Sequence, residues 1–159
     1  MTKSFAYKLI GTGWAEATIC NQESCVTLIA SYLNNLLLDL FQALYRLKQS
    51  ISDKELVCFV DEPGECVMTI ERTSLLSVEL RIVRNDEWEK FESSFPTTQG
   101  RKQLIYSDSD LLENFIEKVS EGIDNLLNKI SITEYHEAWV QDEFPLEEYK
   151  IIRYPKLLR

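Results

Sequence analysis

The sequence predicts one α+β domain over residues 1–159, an antiparallel sheet of about six strands with two long helices packed on one face. Three observations carry this expectation. Residues 14–31 alternate apolar and polar side chains around the polar tetrad Asn21, Gln22, Glu23 and Ser24, the pattern of a β-hairpin. Residues 32–49 and 110–130 repeat apolar side chains at spacings of three and four, the period of a helix with one buried stripe. Between them, a short apolar run at 56–60 is followed past a turn by 65–72 and 76–84, which alternate as strands do when one face is covered and the other is wet.

A first strand is expected over 5–10, followed by a turn at Gly11-Thr12-Gly13. No glycine-rich helix start follows this pair, so it reads as a permissive turn and not as a phosphate loop. In the hairpin, a turn at 21–24 sets Ile19 opposite Val26, Ala17 opposite Leu28 and Ala15 opposite Ala30, which makes one face apolar and mostly small. The other face carries Trp14, Glu16, Thr18, Thr27, Ile29 and Ser31, with Cys20 opposite Cys25. Ser31 is the expected cap of the helix 32–49, whose stripe is Leu33, Leu36, Leu37, Leu40, Phe41, Leu44 and Leu47. The small residues Ala15, Ala17 and Ala30 would let that helix lie close to the hairpin.

Further along, 56–60 is a strand and Asp61-Glu62-Pro63-Gly64 a turn, with strands 65–72 and 76–84 after it. A three-residue connection of Thr73, Ser74 and Leu75 would pair Ile70 with Val78, Met68 with Leu80 and Cys66 with Ile82. A loop or short helix is expected over 85–101, where Trp88, Phe91 and Phe95 sit among charges, and one short strand over 102–107. Asp110 is expected to open the second long helix in a capping box with Glu113. Gly122 should weaken that helix only locally. The last segment passes from Asp142, Glu143, Glu147 and Glu148 to Lys150, Arg153, Lys156 and Arg159, a charge switch expected to be solvated.

Composition narrows the function. With 17 basic and 26 acidic residues the formal charge is −9, which opposes nucleic-acid binding and favours a basic partner. The N-terminus lacks an apolar stretch of signal-peptide length, and the longest apolar tract is broken by Asn34, Asn35, Asp39, Gln42 and Arg46. No membrane segment and a cytoplasmic location are therefore expected. The spacing of Cys20, Cys25, Cys58 and Cys66 does not suit a zinc knuckle, so thiols are the expectation, with Cys20 and Cys25 close enough to cross-link under oxidation. His136 is the only histidine and no serine lies in a nucleophile elbow, so no catalytic residue, cofactor or metal site is predicted. Acidic clusters at Asp61, Glu62 and Glu65 and at Asp86, Glu87 and Glu89 match no known cation loop.

Protein binding is the best-supported expectation, with Trp14, Glu16, Ile29, Asp61, Glu62 and Glu65 as the partner-binding residues. Three stretches carry a resemblance: Gly13-Trp14-Ala15-Glu16, Asp61-Glu62-Pro63-Gly64-Glu65, and Tyr135-His136-Glu137-Ala138-Trp139 followed by Phe144-Pro145. Together they resemble a group of small uncharacterised bacterial proteins with a Glu-Pro-Gly-Glu turn and a Trp followed by Phe-Pro near the end. The chain departs from that pattern at Cys66, where an aromatic is expected. Its size, acidity and α+β layout are also similar to immunity proteins, which neutralise a bacterial toxin by binding it. The resemblance implies a non-enzymatic protein-binding domain whose partner is a basic toxin domain. The alternatives are a small carboxylate- or metal-dependent hydrolase and a structural homodimer joined through the outer face of the hairpin.

Overall fold

A computed structural model describes residues 2–86 and 102–158. Strands β1 (Ser4–Gly11), β2 (Trp14–Cys20) and β3 (Cys25–Ser31) lead into helix α1 (Leu36–Lys48). Strands β4 (Lys54–Asp61), β5 (Gly64–Arg72), β6 (Ser77–Asn85) and β7 (Lys102–Leu111) follow, then helices α2 (Leu112–Lys129), α3 (Ile132–Trp139) and α4 (Leu146–Arg153), and a 3-10 turn at Pro155–Leu158. The class is α+β as expected, but among the described residues the strands form two antiparallel sheets, β1-β2-β3 and β4-β5-β6-β7, in place of one sheet of about six, and there are four helices where two long ones are expected. The break falls where α1 crosses from β3 to β4. Those two strands lie side by side without a backbone ladder, and the Asn34 amide donates to the Cys58 carbonyl at 2.9 Å. The loop or short helix expected over 85–101 falls, beyond Asp86, outside the described residues.

The hairpin has the expected register, with Ile19 opposite Val26, Ala17 opposite Leu28 and Ala15 opposite Ala30. Ala15, Ala17 and Ala30 are wholly buried. Asn21 builds the turn: its Oδ1 accepts from the backbone N–H of Glu23 and of Ser24, each at 2.8 Å. Cys20 and Cys25 are joined in a disulfide where thiols are the default expectation, while Cys58 and Cys66 keep theirs.

Between β5 and β6 the register differs from expectation by two residues: Ile70 faces Leu80, Met68 faces Ile82, and Cys66 faces Arg84. The connection is longer than three residues, with the Thr73 N–H donating to the Ser77 carbonyl at 2.9 Å. A shift of two leaves every side chain on its own face, so Met68, Ile70, Val78 and Ile82 are still completely buried. The short strand expected over 102–107 runs on through Leu111 as β7. Its outward carbonyls are capped by side chains: Lys3 Nζ donates to the Ser109 oxygen at 2.7 Å and the Asn21 amide to the Ser107 oxygen at 3.2 Å. This blunts an edge that would otherwise invite pairing.

Helix starts also differ from expectation. Asn35, not Ser31, caps α1, its side chain accepting from the Leu38 N–H, and Leu33 of the expected stripe is exposed. The capping box of Asp110 and Glu113 does not form, because Asp110 lies in β7; Glu113 pairs instead with Lys48 at 3.2 Å. A capping box does occur at α3, between Ser131 and Glu134.

The inner faces of both sheets and the helices share one core. Helix α2 lies on β1 so closely that a Cβ at Gly122 would stand 2.4 Å from the Phe5 carbonyl oxygen. Helix α4 is pinned to α2 by the Tyr149 hydroxyl, which donates to Asp124 and to the Ser120 carbonyl, and by Arg153, which pairs with Asp124 at 3.0 Å and Glu117 at 3.2 Å. Arg153 of the charge switch is thus docked and not solvated. Phe41 packs against Phe144 and Tyr149, and Tyr135 against Phe144 and Trp139, which knits α1, α3 and α4 together. Helix α1 is tied to β4 by Arg46, whose guanidinium meets both oxygens of Glu55 at 2.7 Å. Among the described residues no helix is long and apolar enough to cross a membrane.

Two stability predictions follow from these contacts. The disulfide closes a six-residue loop, so the chain-entropy model limits its contribution to about 2 kcal/mol, and the Asn21 turn already orders that loop. The double substitution Cys20→Ser, Cys25→Ser should therefore lower unfolding stability in urea by no more than about 2 kcal/mol and leave the fold intact. The Arg46 hydrogen bonds hold the Glu55 carboxyl below its usual 4.5, with Ser52 adding to the effect against the cost of burial. A depressed folded-state pKa contributes stability that is present above the unfolded value and lost as pH falls through the folded one. Acid titration of stability should show this loss below about pH 4.5, limited by solvent screening to about 1 kcal/mol, and Glu55→Gln should remove it.

Candidate functional site

The six residues expected to bind a partner fall into two groups on different sheets. On the first sheet Glu16 is paired across the strands with Ile29, and Trp14 with Ser31. Strand parity places Trp14, Glu16 and Ile29 on the outer face, where all three are half-buried. Glu16 is not a bare carboxylate, because Lys8 on β1 holds it at 2.8 Å. The second group lies at the β4–β5 turn. Asp61 meets Arg84 at 3.5 Å, Glu62 is exposed, and Glu65 is only 4% exposed. No hydrogen bond or ion pair among the described residues links the two groups.

The outer face of the second sheet adds what the sequence reading missed. Cys58 of β4 faces Val67 of β5, Val67 faces Val83 of β6, and Val83 faces Leu104 of β7 across an irregularity in the ladder. Because Val57, Phe59, Met68 and Ile82 point inward, these four form an apolar row across the outward face. Leu56 extends it, and both Leu56 at 59% and Leu104 at 47% are exposed. The next row along the strands is Val60, Glu65, Asn85 and Lys102. There the turn presses onto β6: a Cβ at Gly64 would lie 2.6 Å from the Asn85 carbonyl oxygen. The Asn85 amide donates weakly to Glu65 Oε1 at 3.5 Å, while Glu65 Oε2 and Asn85 Oδ1 are buried without a hydrogen-bond partner among the described residues. The alternation Leu56, Cys58, Val60 in β4 was a readable signal, but only the cross-strand register shows that it continues through Val67 and Val83.

Chemistry on the described surface is sparse. His136 is exposed on α3. Burial pushes the Cys66 thiol up, which makes it a poor nucleophile at neutral pH. A crevice of about 10 Å³ between Lys3, Tyr106, Asp108 and Lys118 has room for roughly one water molecule. Burial beside Asp108 and Asp110 pushes the Tyr106 hydroxyl up to about 12. Among the described residues no group of three or more His, Cys, Asp or Glu side chains is placed to hold a metal ion. Comparison with protein-family models, curated proteins and solved structures returned no match.

Proposed function

We propose that this chain is a non-enzymatic protein-binding domain that captures a basic partner on the outer faces of its sheets, acting in the cytoplasm as an immunity protein does when it neutralises a toxin. The observation that carries this reading is the outward apolar row from Cys58 to Leu104, extended by Leu56 and ending beside the acidic turn at Asp61, Glu62 and Glu65. Cys58, Val67 and Val83 are half-buried while Leu56 and Leu104 at the margins are exposed, and exposed apolar side chains with a charged border are the composition of a docking surface. Charge supports the same reading: a net −9 steers a basic protein toward the surface. Trp14, Glu16 and Ile29 would contribute from the first sheet, with Trp14 as the aromatic anchor.

Titration calorimetry against the products of the adjacent genes tests the proposal. A one-to-one complex is expected with a basic protein, and Leu56→Lys with Leu104→Lys should weaken it by about thirtyfold or more, as should Trp14→Ala. The two leucine changes are on the surface and should alter stability by no more than about 0.5 kcal/mol. Undiminished affinity in both variants would remove these faces from the account.

A further inference from the structure

We infer that a second copy of this chain docks on the end of the second sheet built around the β5–β6 turn, through Ile51, Leu75, Leu76 and Leu111. This surface is separate from the residues assigned above to a basic partner, and the inference goes beyond that reading.

The four residues come from three segments that meet at one end of the sheet. Ile51 lies in the connection from α1 to β4, Leu75 and Leu76 lie in the turn from β5 to β6, and Leu111 ends β7 opposite Ser77. From β4 to β7 they span three strand spacings, about 14 Å. Their exposure runs from 45% at Leu111 to 82% at Leu75, with Ile51 and Leu76 between. A single exposed leucine is ordinary, but four large aliphatic side chains gathered at one end form a patch that is stabilised by being covered. The turn is also firmly held. The Arg72 guanidinium donates to the carbonyls of Leu47 and Leu75. The Thr73 N–H donates to the Ser77 carbonyl and the Leu112 N–H to the Leu76 carbonyl, each at 2.9 Å. A patch ordered before contact loses little entropy on association.

Charge selects the occupant. The charged groups at this end pair within the chain: Lys48 with Glu113 at 3.2 Å, Arg72 with Asp53 at 3.5 Å and Lys54 with Glu71 at 3.9 Å. Glu79, opposite Glu71 on β6, is the one further acid in the row of Lys54 and Glu71. A basic protein or a nucleic acid therefore finds little uncompensated charge here, whereas a second chain of net charge −9 can approach with little local repulsion. The patch is also self-complementary. A two-fold axis through the turn sets Leu75 and Leu76 against their own copies, and Ile51 of one chain beside Leu111 of the other. The side chains of Lys54 and Glu71 are 57% and 50% exposed, and the pair can exchange partners with the same pair of the other copy. Four anchors fall short of the roughly 20–30 residues a side in a standard interface, so a reversible dimer is expected, with a dissociation constant on the order of tens of micromolar.

Sedimentation velocity of the full chain, from about 1 μM to about 500 μM, tests the docking. A concentration-dependent dimer is expected, and Leu75→Lys with Leu76→Lys should weaken it by about thirtyfold or more. Both positions are exposed, so this variant should keep the parent's fold. Ile51→Lys, on a different segment, should weaken association as well, and it decides if the double variant fails to fold. Leu56→Lys with Leu104→Lys should leave the dimer no weaker, which keeps this test apart from that of partner capture. A monomer at every concentration would overturn the inference, as would a dimer indifferent to the turn and Ile51 variants or one weakened equally by the Leu56 and Leu104 changes. Co-sedimentation of the chain with neutral phosphatidylcholine vesicles, abolished by the turn variant, would also overturn it by assigning the leucines to a lipid surface.

Discussion

Helix α2 and strand β1 meet at a separation that only glycine permits, since any Cβ at position 122 would press on the carbonyl of Phe5. Several features of the chain depend on this contact. It seats Phe115, Ile116, Val119 and Ile123 in the shared core. It also sets the far side of α2, where Asp124 and Glu117 receive Arg153 and Tyr149 and so place α4. Through Tyr149 and Phe144 the contact reaches Phe41 on α1, and α1 is fastened to β4 by Arg46 and Glu55. Glycine costs about 1 kcal/mol relative to alanine in a helix interior, and the close packing it allows offsets that cost.

Because the inner faces of both sheets are consumed by the helices, the proposed partner capture is assigned to the outer faces. There the two sheets differ. The first is mixed, with Glu16 neutralised by Lys8 and its threonines joined across the strands. The second is divided along its strands: a polar end at Lys54, Glu71 and Glu79, an apolar middle, and a buried carboxylate by the β4–β5 turn. A face with that gradient has a direction, which a uniformly polar or apolar surface lacks.

What could be read from the sequence follows from parity. Alternation assigns each strand residue to a face, so the apolar side of the hairpin was legible, and its polar tetrad set the register as well. In β5 and β6 parity again fixed the faces, but Thr73, Ser74 and Leu75 carry no strong turn signal and the register slipped by two, which parity cannot detect. The division into two sheets was not legible, because an apolar edge looks the same in sequence whether or not a ladder crosses it. The α3 capping box of Ser131 and Glu134 was present in the sequence and went unread. Glu65 was selected as an exposed acid of the turn; its burial opposite Asn85 required the fold. Gly122 was read as a local weakness because helix propensity contains nothing about what lies against the helix.

The most direct measurement is the unfolding free energy of Gly122→Ala in urea. Helix propensity alone would make this variant more stable by about 1 kcal/mol. The account predicts the opposite sign, a loss of about 1 kcal/mol or more, because the added methyl must separate α2 from β1 or bend one of them. A variant as stable as the parent, or more so, would contradict it.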